Sequence, residues 1–170
     1  MCLKYFAYGS NMSCKRLGKR VSSARSLGCY YLKKHDLKYH KRSTDGSMKC
    51  DADHTGDDKD VVYGVLFEIC SSDKCALDKA EGANSGHYEE KKVTVFSEDG
   101  TSEEVFTYVA CGEHIDKEIS SRPYSWYKDH VLIGAREGGL PEGYINTKLC
   151  VNSLQDQNPG RDQRERAMYA

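Results

Sequence analysis

Two short stretches of this chain combine residue types that could do chemistry. Residues 5–12 read Y-F-A-Y-G-S-N-M. A strand that turns sharply through Gly9 into a helix leaves the first helical amides unpaired and pointing outward. With the positive end of the helix dipole behind them, such amides attract a carboxylate, a phosphate or a developing oxyanion. The plain alternative is a tight turn in which Ser10 or Asn11 only caps the helix. Residues 77–88 read L-D-K-A-E-G-A-N-S-G-H-Y. Glu81 is placed to close a short helix just before Gly82, at the end where the dipole disfavours a carboxylate. With some desolvation added, its pKa is expected to rise toward neutrality, which suits general acid–base work. The plain alternative here is a solvated surface glutamate.

Other chemistries find little support. The eight cysteines, at 2, 14, 29, 50, 70, 75, 111 and 150, form no CxxC pair. Structural zinc sites usually show two close-spaced pairs, and small secreted scaffolds carry a denser cysteine framework. Most of the thiols therefore read as free, buried small hydrophobes. The six histidines are dispersed, with no HExxH, and no metal is expected. GxGxxG, a Walker-type GKS/T and GxSxG are all missing, so the large nucleotide-binding and hydrolase classes have no motif here. Twelve of the 17 aromatics are tyrosines, hydroxyl-tipped rings of which a few could hydrogen-bond a polar ligand.

The elements that must position these residues follow from pattern. Residues 3–7 read as a short aromatic strand and 12–20 as a helix capped by Ser10 or Asn11. Alternation over 24–41 predicts one or two strands. Residues 43–60, STDGSMKCDADHTGDDKD, are rich in turn formers and read as a mobile surface loop. VVYGVLFEI, 61–69, is apolar enough for the middle of a sheet. A helix over 73–81 stops at Gly82, and 87–97 with 103–110 form a hairpin around Asp99-Gly100. Pro123 opens a longer helix that places Tyr127 and Val131 on one face and ends at Gly138-Gly139. A shorter helix is placed over 142–152. The polar tail from Ser153 frays or lies across the surface. The fold class is mixed α+β, a mostly antiparallel sheet or small barrel with flanking helices, in one domain over 1–152 followed by the tail at 153–170.

With 170 residues the chain is long enough for a sizeable core. Twenty-five Lys and Arg balance 26 Asp and Glu, which offers no electrostatic reason to bind nucleic acid or an anionic membrane. No run approaches the roughly 18 apolar residues of a membrane helix, and the N-terminus has no signal-like apolar segment. A soluble, cytoplasmic protein is expected.

Taken together, YFAYGSNM, LDKAEGANSGHY and WYKDHVLIGAREGGLP, in this order from Tyr5 to Pro141, resemble the intracellular γ-glutamylcyclotransferases. The resemblance implies release of 5-oxoproline from γ-glutamyl amino acids, without a cofactor. It implies that the loop Tyr5, Phe6, Ala7, Tyr8, Gly9 and Ser10 cradles the γ-glutamyl group and that Glu81 is the catalytic acid–base. Tyr88 and Tyr127 are implied to line the pocket, and a homodimer is possible in such a family. Lys79-Ala80 before Glu81 departs from relatives that are more polar there, which leaves substrate choice open. The alternatives are a cyclotransferase for a bulkier γ-glutamyl amine or biosynthetic intermediate, and a non-catalytic binding module on the same fold.

Overall fold

The computed structural model describes all 170 residues. Five strands, β1 (Cys2–Ala7), β2 (Arg25–Lys33), β5 (Val61–Cys70), β6 (Tyr88–Phe96) and β7 (Ser102–Ala110), close into a barrel in the order β1-β5-β2-β6-β7. The remaining two, β3 (His35–Arg42) and β4 (Met48–His54), pair as a separate hairpin. Val62, Val65, Leu66, Phe67 and Ile69 of β5 are all buried, so this strand lies within the sheet between β1 and β2. β1 runs antiparallel to β5 from Cys2↔Cys70 to Ala7↔Val65. Its other edge meets β7 in parallel at Tyr5↔Phe106, and this seam closes the barrel. Closure leaves no free edge among the five strands. The expected α+β architecture with a small, mostly antiparallel barrel is the one observed.

The middle of the segment expected to be a mobile loop, Met48–His54, is a strand. Met48, Cys50 and Ala52 are 1%, 2% and 2% exposed, a period-two apolar face hidden in the sequence by Lys49, Asp51 and Asp53 between them. Asp51 is buried as well, because its Oδ2 accepts from His40 Nε2 at 2.7 Å and its Oδ1 from the Ala110 amide at 2.8 Å. A carboxylate satisfied on both oxygens can be buried, and this one ties the hairpin to β7.

The first helix also differs from expectation. α1 is Cys14–Arg20, and its cap is Ser13, whose hydroxyl accepts from the Arg16 amide. Ser10 and Asn11 lie instead in a buried 3-10 turn, Ser10–Met12, with their side chains taken by tertiary partners. α2 (Lys74–Glu81) ends as expected at Gly82, whose φ of 65° is a left-handed cap that glycine adopts at little cost. α3 (Ser125–Glu137) buries Trp126, Tyr127, His130, Val131, Gly134 and Ala135. A Cβ on Gly134 would stand 2.3 Å from the Ser13 amide nitrogen, so glycine lets α3 touch the backbone of the 3-10 turn. α4 (Glu142–Tyr144) runs into a π turn, Ile145–Leu149.

The tail holds α5 (Pro159–Arg166) and is pinned across α1 and α3. Glu165 Oε2 accepts from Arg16 Nη1 and His130 Nε2, each at 2.7 Å. Tyr169 Oη donates to Ser13 Oγ at 2.8 Å. No helix is long and apolar enough to cross a membrane.

Candidate active site

The turn after β1 and the last residue of α2 meet at a cleft of about 300 Å³, lined among others by Tyr5, Tyr8, Gly9, Ser10, Glu81 and Tyr127. The barrel seam sets the floor: β1 carries Tyr5 to the rim, and the chain then turns through Gly9. The Gly9 N–H donates to no group of the protein, which leaves it free for a ligand acceptor. Ser10 is held from behind, its Oγ accepting from Arg16 Nε at 3.1 Å. Arg16 is in turn paired with Glu165, so the C-terminal helix steadies the turn.

Glu81 enters from the opposite side, its side chain 15% exposed. Asn11 Nδ2 donates to Glu81 Oε1 at 2.6 Å and to Tyr5 Oη at 3.1 Å. Arg20 Nη1 lies 3.4 Å from the same Glu81 oxygen and donates to Asn11 Oδ1 at 2.9 Å. At the C-terminal end of α2, an amide N–H and a guanidinium thus stand against one oxygen of the Glu81 carboxyl. The site therefore presents an oriented carboxylate with one oxygen bonded.

Five tyrosines line the cleft, Tyr5, Tyr8, Tyr88, Tyr108 and Tyr127. Tyr8 Oη donates to the Tyr108 carbonyl, and Tyr88 Oη to the Cys50 carbonyl at 2.8 Å. Tyr127 Oη accepts from the Cys50 amide at 3.1 Å. Burial raises the pKa of Tyr5, Tyr8, Tyr88 and Tyr127 alike, so all four remain neutral phenols. Burial also pushes the Cys50 thiol up to about 12. A thiol so rarely ionised is a poor nucleophile, although it faces the cleft.

Seven of the nine residues implied from sequence thus converge: Glu81, Tyr5, Tyr8, Gly9, Ser10, Tyr88 and Tyr127 line the cleft. Phe6 and Ala7 do not. Strand alternation sends the fully buried Phe6 ring into the core, and Ala7 is enclosed where β1 pairs with β5. Asn11, Arg20, Cys50 and Tyr108 were not singled out as site residues. Asn11 belongs to the YGSN run and read as a cap. Cys50 lay inside the presumed loop. Nothing in the local pattern marks Arg20 or Tyr108.

A wider cleft of about 930 Å³ opens outward from this one and shares Ser10, Glu81, Tyr88 and Tyr127 with it. Six cations line it, Arg16, Arg20, Lys41, Lys49, Lys79 and Arg161, against three acids, Asp45, Glu81 and Glu165.

The AIG2-like family's sequence profile matches residues 61–147. The γ-glutamylcyclotransferase of Mus musculus is 31% identical over 168 residues, covering 95% of this chain and 85% of that protein. That of Bos taurus is 31% identical over 158 residues, covering 89% of this chain and 78% of that one. The chain belongs to the γ-glutamylcyclotransferase family. A solved γ-glutamyl cyclotransferase structure matches with a TM-score of 0.85, covering 99% of both chains at 23% identity. A human protein of solved structure matches with the same score at 24% identity. The closed barrel and flanking helices are thus the γ-glutamylcyclotransferase fold, and in this family member Glu81 and the Gly9 turn face one another across the inner cleft.

Proposed function

We propose that the protein converts γ-glutamyl amino acids to 5-oxoproline and the free amino acid, with Glu81 as the acid–base group. The observation that carries this reading is the convergence of an oriented Glu81 carboxylate and the free Gly9 amide on one cleft. Nucleophile and electrophile are tethered in the substrate, so the site must fold the glutamyl chain rather than gather two molecules, and high effective molarity is available.

Glu81 takes a proton from the α-ammonium. The freed amine attacks the γ-carbonyl carbon, closing a five-membered ring. Charge gathers on the carbonyl oxygen, and the Gly9–Ser10 amides stabilise either that oxyanion or the α-carboxylate. As the amide C–N bond breaks, Glu81 returns its proton to the leaving nitrogen and then relays the surplus proton of the ring nitrogen, so that the lactam N–H is neutral and the amine leaves as its ammonium. No enzyme nucleophile is needed, in keeping with the raised pKa of Cys50. Neutral tyrosine hydroxyls around the cleft support binding of a zwitterionic head.

Incubation of the purified protein with γ-glutamyl-alanine, followed by assay for 5-oxoproline, tests the reading. Product from the wild type and none from a folded Glu81→Gln variant is the expected result. Undiminished turnover in that variant removes Glu81 from the mechanism.

A further inference from the structure

The outer cleft holds a charge that the reaction above does not use. Of its six cations, Arg16, Arg20, Lys49 and Arg161 are each paired with a carboxylate, namely Glu165, Glu81, Asp45 and Asp156. Lys79 is exposed to solvent. Lys41 is different: it is 4% exposed, and its ammonium is bonded to no carboxylate. Its one polar side-chain contact is His87 Nδ1, at 3.1 Å, and its Nζ lies 5.0 Å from the centre of the Tyr88 ring.

A buried ammonium without a counter-ion is costly. Burial pulls the Lys41 pKa down, opposed by the more distant charges of Glu81 and Asp45. The free charge sits where a substrate must pass. Glu81 lines both cavities, so a γ-glutamyl head in the inner cleft sends the group beyond its scissile bond into the outer one. His87 extends the same surface. Because its Nδ1 accepts from Lys41, its proton stands on Nε2, a second donor.

We propose that Lys41 and His87 form an anion subsite that takes the carboxylate of the released amino acid. The subsite rests on the cyclotransferase reading above and deepens it. The enzyme selects γ-glutamyl compounds whose leaving group carries a negative charge near the amide, and it disfavours γ-glutamyl amines with a neutral or cationic leaving group. Asp45 and Glu165, each already paired across the cleft, do not neutralise Lys41.

The test compares γ-glutamyl-alanine with γ-glutamyl-alaninamide, which match in shape and differ by one negative charge. Wild-type kcat/KM is expected to favour the acid by about 10- to 100-fold, the range for a hydrogen bond to a charged group. Lys41→Met keeps the stem over Tyr88 and removes the charge; it should raise KM for the acid and bring the acid-to-amide ratio near one. Lys41→Arg should restore most of the preference. Equal use of the two substrates by the wild type overturns the subsite without any variant. So does a folded Lys41→Met enzyme that keeps the preference. Release of 5-oxoproline from neither substrate overturns the parent reading, an outcome distinct from equal use of both.

Discussion

Asn11 Nδ2 donates to Glu81 Oε1 at 2.6 Å, joining two residues 70 positions apart across the cleft. The same amide reaches Tyr5 at 3.1 Å, and its oxygen accepts from Arg20. Asn11 therefore orients the acid–base carboxylate, with its amide taken up by Glu81, Tyr5 and Arg20. It is a positioning residue.

Replacing Asn11 should damage turnover more than binding. Asn11→Ala is expected to lower kcat by about 10- to 100-fold, because small displacements of a catalytic group are costly. Asn11→Asp is the sharper probe. A second carboxylate beside Glu81 disfavours its ionised form, so the acidic limb of the pH–rate profile should move to higher pH. An unmoved limb, with kcat reduced, would mean that Asn11 acts only through packing.

The C-terminal helix should contribute stability that acid removes. Hydrogen bonding to His130, and then the Arg16 charge, hold the Glu165 carboxyl down at about 2. A carboxylate with a depressed folded pKa stabilises the fold above its unfolded value, near 4.3, and loses that contribution as pH falls toward 2. Thermal melts between pH 7 and pH 2 should show Tm falling in that window, and Glu165→Gln should flatten the fall. At pH 7 the variant strands a mostly buried Arg16 and should cost about 2 kcal/mol, toward the low side because Glu165 is partly exposed.

Gly134→Ala should destabilise the protein by forcing α3 off the 3-10 turn. The added Cβ would stand 2.3 Å from the Ser13 nitrogen and 2.5 Å from the Met12 carbonyl carbon, both backbone atoms that cannot swing aside. Overpacking of this kind costs about 2 kcal/mol, or roughly 4–8 °C in Tm for a chain of this length. Differential scanning calorimetry measures it, and an unchanged Tm would show that α3 can slide off the 3-10 turn.

Cys50 should resist alkylation although it faces a cavity. Its thiol is pushed up to about 12 by burial, so almost none is thiolate at neutral pH. Iodoacetamide at pH 7.5, followed by peptide mass mapping, should modify exposed Cys2, Cys70 and Cys75 and spare Cys50 in the folded protein. Rapid labelling of Cys50 with loss of activity would reopen a thiol mechanism.

Much of the fold and the heart of the site were legible in sequence because their signals are local. The apolar run of β5, the Asp-Gly hairpin and the Gly82 stop each follow from a few adjacent residues, and all three stand in the structure. Glu81 was marked by the resemblance of the three ordered motifs, since its local setting alone fits a solvated surface glutamate as well. The β4 strand was not. Its buried face is three residues long and interrupted by charges, one of which, Asp51, is acceptable inside only because His40 and the Ala110 amide meet it. The polar composition of the tail left open whether it frays or lies across the surface. It is held by Glu165 and Tyr169 finding Arg16 and Ser13 from about 150 positions away.

By itself, then, the sequence determined most of the barrel strands, the turn at Gly9 and the placing of Glu81 at the end of α2, since each depends on propensities and caps within a few residues of chain. Tertiary structure alone decided which groups face Glu81. Asn11, Arg20 and Lys41 arrive from 3-10, helix and strand segments, and no local pattern records that closing the barrel through Tyr5↔Phe106 and folding the hairpin against β7 brings their charges and hydrogen-bond donors to one cleft.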